Sequence, residues 1–202
     1  TKTLIDALAS SLGHSLGIMT GAAVRTMPTV GDATVDWQVP VQVDGSQLVV
    51  RPIRPEDAQA LHEFYAHASA ADMRLRFFFT RREVPHSELA RYSQIDYDRE
   101  MTFVAMAGEG GGQPMAGEVR AVCDPDNQRA EFAIQVASPW QSKGLGRMLM
   151  NKMIAHLRAR GTVELMGQCL RENHSMVALA RAMGFSISPA PSEDALSLYL
   201  RL

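Results

Sequence analysis

From Leu48 onward the apolar residues change spacing several times, and each change marks an element. "LVVRPIR" (residues 48–54) predicts a short strand. Pro55, Glu56 and Asp57 then supply the fixed φ and the negative charge that favour a helix start, and Leu61, Phe64 and Tyr65 give that helix an apolar face. "SAADMRLRFF" carries a Ser-x-x-Asp capping pattern at Ser69 and Asp72, and "PHSELARYSQI" predicts another short helix. The period then shifts. "EMTFVAMAG", "PMAGEVRAVCD" and "RAEFAIQVA" are three successive strand candidates, the last two joined by "DPDNQ", whose residues are turn chemistry. Residues 144–160 form an amphipathic helix, with Leu145, Met148, Leu149, Met153, Ile154 and Leu157 on one side and Arg147, Asn151, Lys152, Arg158 and Arg160 on the other. Gly161 stops it. "VELMGQCL" reads as a strand, Asn173 as the N-cap of a helix over "HSMVALARAM", and "ALSLYLRL" as a closing strand. This order predicts an α+β domain around a mostly antiparallel sheet flanked by helices.

Residues 1–46 differ. "LIDALASSLGHSLGIM" predicts one short helix, and the Gly-, Thr-, Ala- and Val-rich stretch after it keeps no period, so the segment reads as an N-terminal extension or linker ahead of a domain over residues 47–202. The chain starts at Thr1 rather than Met, which predicts a piece or trimmed form of something longer. With 202 residues, 46% of them apolar, there is material for one good core. The net charge of −2 argues against a nucleic-acid footprint, which needs a basic face. No apolar run approaches the roughly 20 residues that span a bilayer, and the first residues lack a secretory pattern, so a cytoplasmic protein is expected. Cys123 and Cys169 are too few for a disulfide framework, and the six histidines lack zinc-type spacing, so no metal is expected.

"PWQSKGLGRMLM" holds the chemistry. A strand ending near Ala137, a turn with Gly144 and Gly146, and a helix starting at once point several backbone N–H groups at one spot, which suits an anion. Lys143 and Arg147 add positive charge, and the glycines let an anion reach the backbone. The spacing fits neither a Walker loop nor a dinucleotide fingerprint. Gln141-Ser142-Lys143-Gly144-Leu145-Gly146 resembles the Q/R-x-x-G-x-G/A pyrophosphate loop of the GNAT superfamily of acyl-CoA-dependent N-acyltransferases. "LRENHSMVALARAMGF" is similar to that superfamily's second recurring segment. "RPIRPED", "LRFF" and "IDYDREM" narrow the resemblance to the acetyltransferase domain of bacterial protein lysine acetyltransferases, whose substrates include AMP-forming acyl-CoA synthetases.

The resemblance implies a GNAT fold, acetyl-CoA as co-substrate and a protein substrate with an accessible lysine. It places the pyrophosphate on Gln141–Arg147, the pantetheine arm and thioester oxygen on the main chain of Ile134, Gln135 and Val136, and a further CoA contact on Asn173. The acceptor chemistry needs a base. A free lysine has a pKa near ~10.4, so about 4 in 10,000 are neutral at pH 7, a penalty of roughly 4.6 kcal/mol. Glu131, on the strand that also carries the thioester site, matches the family's general base; read without the family, it is equally a solvated charge paired with Arg129 or Arg120. Glu118, Asp124, Asp96, Asp98 and Glu100 are expected as surface charges or a docking rim, and Tyr199 as either a strand residue or an acid for the departing thiolate. Two alternatives stand beside a lysine acceptor: a small amine or protein N-terminus, and a non-catalytic acyl-CoA sensor.

Overall fold

A computed structural model describes residues 38–79, 84–108 and 113–202. The helix expected in "LIDALASSLGHSLGIM" lies outside them. Eight strands are present among the described residues: β1 (Val39–Val43), β2 (Ser46–Pro52), β3 (Glu100–Ala107), β4 (Met115–Cys123), β5 (Arg129–Val136), β6 (Glu164–Leu170), β7 (Ser186–Pro189) and β8 (Ala195–Arg201). Five helices accompany them: α1 (Ala58–Ala66), α2 (Ala70–Phe77), α3 (His86–Ser93), α4 (Leu145–Ala159) and α5 (His174–Ala182).

All the strands join one sheet in the order β1-β2-β3-β4-β5-β6-β8-β7. Every pairing is antiparallel except β5 with β6. The two faces have separate cores. On one, Leu145, Leu149 and Met153 of α4 and Met176 and Ala180 of α5 pack with Phe103, Val119 and Phe132. On the other, Leu61, Phe64 and Tyr65 of α1, Met73 of α2 and Leu89 of α3 pack with Val104 and Met106.

The helix signals act as their chemistry requires. Ser69 caps α2 by accepting from the Asp72 N–H at 3.0 Å, and Asn173 caps α5 by accepting from the Met176 N–H at 3.0 Å. Asp57 accepts from the Arg54 N–H at 2.7 Å while holding both arms of the Arg51 guanidinium at 2.7 Å, which fixes the entry into α1. Two strands escaped the pattern. β1 lies inside the segment read as extension and pairs with β2 through a two-residue turn, Asp44 (φ 51°) and Gly45 (φ 77°), the left-handed pair a tight hairpin needs. β7 is four residues long with a mostly exposed pattern, too short to carry a period.

Candidate active site

The sheet forks at its centre. β5 and β6 share three rungs, Arg129 with Glu164, Ala130 with Leu165 and Glu131 with Met166. Beyond Glu131, β5 runs to Val136 paired with β4, and β6 runs to Leu170 paired with β8. At the first open rung the Phe132 ring leans over Gly167, where there is no side chain to stop it.

The β4–β5 ladder fixes which main-chain groups face the gap. Bonds from the Ala137 N–H to Ala116 O (2.9 Å) and from the Asp124 N–H to Arg129 O (2.8 Å) bracket that ladder. In an antiparallel pair, alternate residues exchange bonds with the partner strand. Glu131, Ala133 and Gln135 therefore turn their main chain to β4, and Phe132, Ile134 and Val136 turn theirs toward β6. The resemblance groups Ile134, Gln135 and Val136 as one main-chain surface; the alternation separates Gln135 from the other two.

At the end of β5 the chain makes a short 3-10 turn, Ser138–Trp140, and enters α4 through Ser142 (φ 59°) and Gly144 (φ 87°). Gly144 is the N-cap of α4, no side chain caps it, and no acidic residue stands in the first turn. The first helical bond runs from the Met148 N–H to Gly144 O at 3.1 Å. The N–H groups of Leu145, Gly146 and Arg147 thus have no acceptor within the helix. A β-carbon on Gly144 would meet nothing within 4 Å, so the approach to those donors is open, while one on Gly146 would touch Leu179, Val136 and Ile134 at 3.6–3.9 Å. Donors, the positive end of the helix dipole and open space together suit a phosphate.

The two cations expected at this mouth are engaged elsewhere. Lys143 pairs with Asp44 at 2.7 Å, and the Arg147 guanidinium donates to Ala182 O at 3.0 Å, at the end of α5. The Lys143 pair is solvent-exposed and worth roughly 0–1 kcal/mol, so it competes weakly with an anion. Gln141 donates from one nitrogen to Val136 O (3.0 Å) and to Asp72 (2.9 Å).

Glu131 sits at the vertex of the fork. It is half-buried, its Oε2 is buried without a hydrogen-bond partner, and burial pushes its carboxyl up to about 7. Its side chain shares a face of the sheet with Gln135 and with Glu118 and Arg120 of β4, since cross-strand partners point the same way. Thr102, paired with Arg120, lies on that face too. Thr102 Oγ1, Arg120 Nη1 and Gln135 Oε1 are, like Glu131 Oε2, buried without partners. Four orphaned polar atoms on one face of three strands mark a place for water or a polar ligand.

Glu118 corrects an expectation. Read as a surface or rim charge, it is 1% exposed and its carboxylate accepts from the Tyr65 hydroxyl and from Arg76 (3.3 Å). Tyr65 comes from α1 and Arg76 from α2, so only the tertiary fold brings the three together. Glu100 pairs with Arg120. Asp124 accepts from the Gln128 and Arg129 N–H groups, and Asp96 from the Asp98 N–H, so both build turns. The Tyr199 hydroxyl donates to Glu164 at 3.0 Å, level with Arg129 on the closed side of the fork, which draws it away from the open side where a thiolate would depart.

A forked sheet, an uncapped glycine-rich helix mouth at the end of one arm and a carboxylate at the vertex suit an acyl-CoA-dependent N-acetyltransferase. The model of the Acetyltransferase (GNAT) domain family matches residues 47–186, and the chain belongs to that family. It is 28% identical over 159 residues to an acetyltransferase of Pseudomonas aeruginosa, covering 79% of this chain and 85% of that one. It is 28% identical over 149 residues to the acetyltransferase Pat of Mycolicibacterium smegmatis, a match spanning 72% of this chain and 44% of Pat. The GNAT domain of S. lividans PAT superposes with a TM-score of 0.74 at 23% identity, covering 82% of this chain and 97% of that domain. Among the described residues no cluster of side chains could hold a metal ion, and no helix is long and apolar enough to cross a membrane.

Proposed function

We propose that the protein transfers the acetyl group of acetyl-CoA directly to a lysine side chain of another protein, with an AMP-forming acyl-CoA synthetase as the acceptor to test first. The likeness to Pat supports a protein acceptor. Residues 47–202 act as the catalytic domain, joined in the sheet by β1 from the preceding segment. Gln141–Arg147 receive the pyrophosphate on the N–H groups at the mouth of α4, and the main chain of Ile134 and Val136 faces the pantetheine arm. Gln135 contributes its buried side chain to the acceptor face, and Asn173 keeps its capping bond while its amide nitrogen meets the CoA arm.

Glu131 is the general base, and one observation carries that role: a buried carboxylate oxygen with no partner, on a group pushed up to about 7, at the vertex of the fork. An ordinary carboxylate is a poor match for an ammonium of pKa near ~10.4; a carboxylate at about 7 accepts the proton with less penalty and is still ionised in part at neutral pH. The amine nitrogen attacks the thioester carbonyl, a C–N bond forms and the C–S bond breaks. The amine's proton passes to Glu131, directly or through one water, and the thiolate leaves and is protonated. A main-chain N–H on the gap side of β5 meets the developing oxyanion.

The test is acetylation by acetyl-CoA of a panel of AMP-forming acyl-CoA synthetases beside a panel of small amines, read by mass spectrometry. Acetyl on a synthetase lysine, lost with Glu131→Gln, is the expected result. Transfer to small amines alone would replace the acceptor, and tight acetyl-CoA binding without transfer to anything would make the domain a sensor.

A further inference from the structure

Helix α2 is tied to both arms of the fork. Its Asp72 reaches the loop that follows β5, accepting from Ser138 Oγ and Gln141 Nε2, both at 2.9 Å. Its Arg74 pairs at 3.2 Å with Glu172, in the link between β6 and α5, and its Arg76 reaches Glu118 on β4. α2 packs on the opposite face of the sheet from α4, the side that carries the Glu131 carboxylate.

The Asp72 carboxylate stands in the first turn of α2 and accepts from Ser69, but it also reaches beyond its own helix. The cap of α2 is the Ser69 hydroxyl accepting from the Asp72 main-chain N–H, a bond that survives removal of the carboxylate. One carboxylate oxygen accepts from Ser69 (2.7 Å) and Ser138, and the other from Gln141. Burial alone would raise this carboxyl, but the hydrogen bonds from Ser69, Gln141 and Ser138 outweigh it and hold the group below its ordinary value. Gln141 has two amide hydrogens, and they go to Asp72 and to Val136 O, a carbonyl on the gap side of β5. Gln141 is thereby fixed at one end of the loop, as the fully buried Leu145 is fixed at the other. Between them Ser142 and Gly144 hold the left-handed φ values that aim the N–H groups outward.

We propose that Asp72 is a positioning residue for acyl-CoA: acting through Gln141, it holds the loop of residues 141–146 in its anion-receiving shape from a helix on the acceptor side of the sheet. The inference rests on the reading of that loop as the pyrophosphate site. Without Asp72 the Gln141 side chain loses its charged partner, and the loop populates its binding shape for a fraction of the time. Affinity falls by that fraction, while the acyl-transfer groups are untouched.

The experiment is calorimetric titration of acetyl-CoA into the full chain and its Asp72→Ala, Gln141→Ala, doubly substituted and Asp72→Asn variants, with steady-state kinetics and melting curves. Asp72→Ala is expected to weaken acetyl-CoA about tenfold, the loss typical of one charge-assisted hydrogen bond. It should raise the acetyl-CoA KM by a similar factor and leave kcat within about threefold. Gln141→Ala should give a comparable loss and the double variant less than the product of the two, because the Asp72–Gln141 bond is common to both. Asp72→Asn, which keeps an oxygen for Gln141, should recover most of the affinity. Affinity within twofold of the parent in Asp72→Ala, or losses that multiply in the double variant, would overturn the proposal. Should Asp72→Ala fold poorly, Gln141→Ala tests the link from its other end, and affinity within twofold of the parent there would overturn the proposal. Gly144→Val, run in parallel, separates the two readings: unchanged binding there removes the loop as the pyrophosphate site, whereas lost binding there with normal binding in Asp72→Ala removes the role of Asp72 alone.

Discussion

The Phe132 ring stands directly over Gly167: a β-carbon added to that glycine would lie 2.6 Å from one ring carbon and 2.9 Å from the next. The same ring packs against Phe185 at 5.5 Å between centroids, so it has little room to retreat. Gly167→Ala is therefore expected to cost about 1–3 kcal/mol by overpacking, measured by chemical denaturation. Adding Phe132→Leu should return part of the loss. A single-variant cost below about 0.5 kcal/mol would show that the ring is free to move.

Glu131→Gln should lower turnover roughly 100-fold or more while acetyl-CoA still binds, since the amide keeps the shape and loses the basicity. In the parent, kcat/KM should rise with pH through about 7, as the carboxylate loses its proton, and that limb should vanish in the variant. A parent profile with its limb near the ordinary carboxylate value would end the role of Glu131 as base.

The same carboxylate makes a stability prediction of opposite sign. Its folded value of about 7 lies above the ordinary 4.5, so the folded state holds the proton more tightly than the unfolded chain. The stability this group contributes is full below the unfolded value and is lost as pH rises through about 7. Glu131→Gln should thus melt above the parent at pH 8, with the difference shrinking toward pH 4.5. A difference that does not change with pH would refute the assignment.

How much of this was legible in the sequence varies with the range of the interactions involved. Gly144 and the cap at Asn173 depend on spacing along one turn, and spacing is what a sequence displays; Glu131 is singled out by the family resemblance, its own strand leaving it equally a solvated charge. The Glu118–Tyr65–Arg76 cluster is different. Its members come from β4, α1 and α2, and nothing local at Glu118 distinguishes it from a solvated strand carboxylate. Thr102 was missed for the same reason, and Arg120 reads only as a surface partner of Glu131. An Arg two residues after Glu118 on a strand, hence on the same face, was the available hint of a polar face. The β1–β2 hairpin could have been found, because Asp44-Gly45 is a strong turn signal once the flanking Val residues are counted as strands.

Gly144→Val should abolish acetyl-CoA binding with the fold retained. The substitution meets no atom within 4 Å, but φ of 87° is one that a β-branched residue avoids, and the side chain would stand before the N–H array. Calorimetry and circular dichroism check the two halves, and retained affinity would make the loop only a turn.

Arg76→Met should destabilise by about 3–5 kcal/mol, because it strands the buried Glu118 carboxylate, whose side chain is 1% exposed. Tyr65→Phe, which leaves Arg76 in place, should cost less, about 1–3 kcal/mol. Equal losses in denaturant melts would show that the phenol matters to Glu118 as much as the guanidinium does.

Unpaired strand backbone is usually found at the rim of a sheet, where any extended peptide can add to it. Besides the edges at β1 and β7, this sheet leaves strand backbone unpaired between β5 and β6, in a notch closed at Glu131 and Met166 and walled by α2 on one face and by α4 and α5 on the other. A foreign strand would have to thread that notch end-on and would find three outward residues of β5, too few for a stable ladder. The notch can therefore keep hydrogen-bonding groups bare for a narrow, amide-bearing substrate without itself offering a template for aggregation.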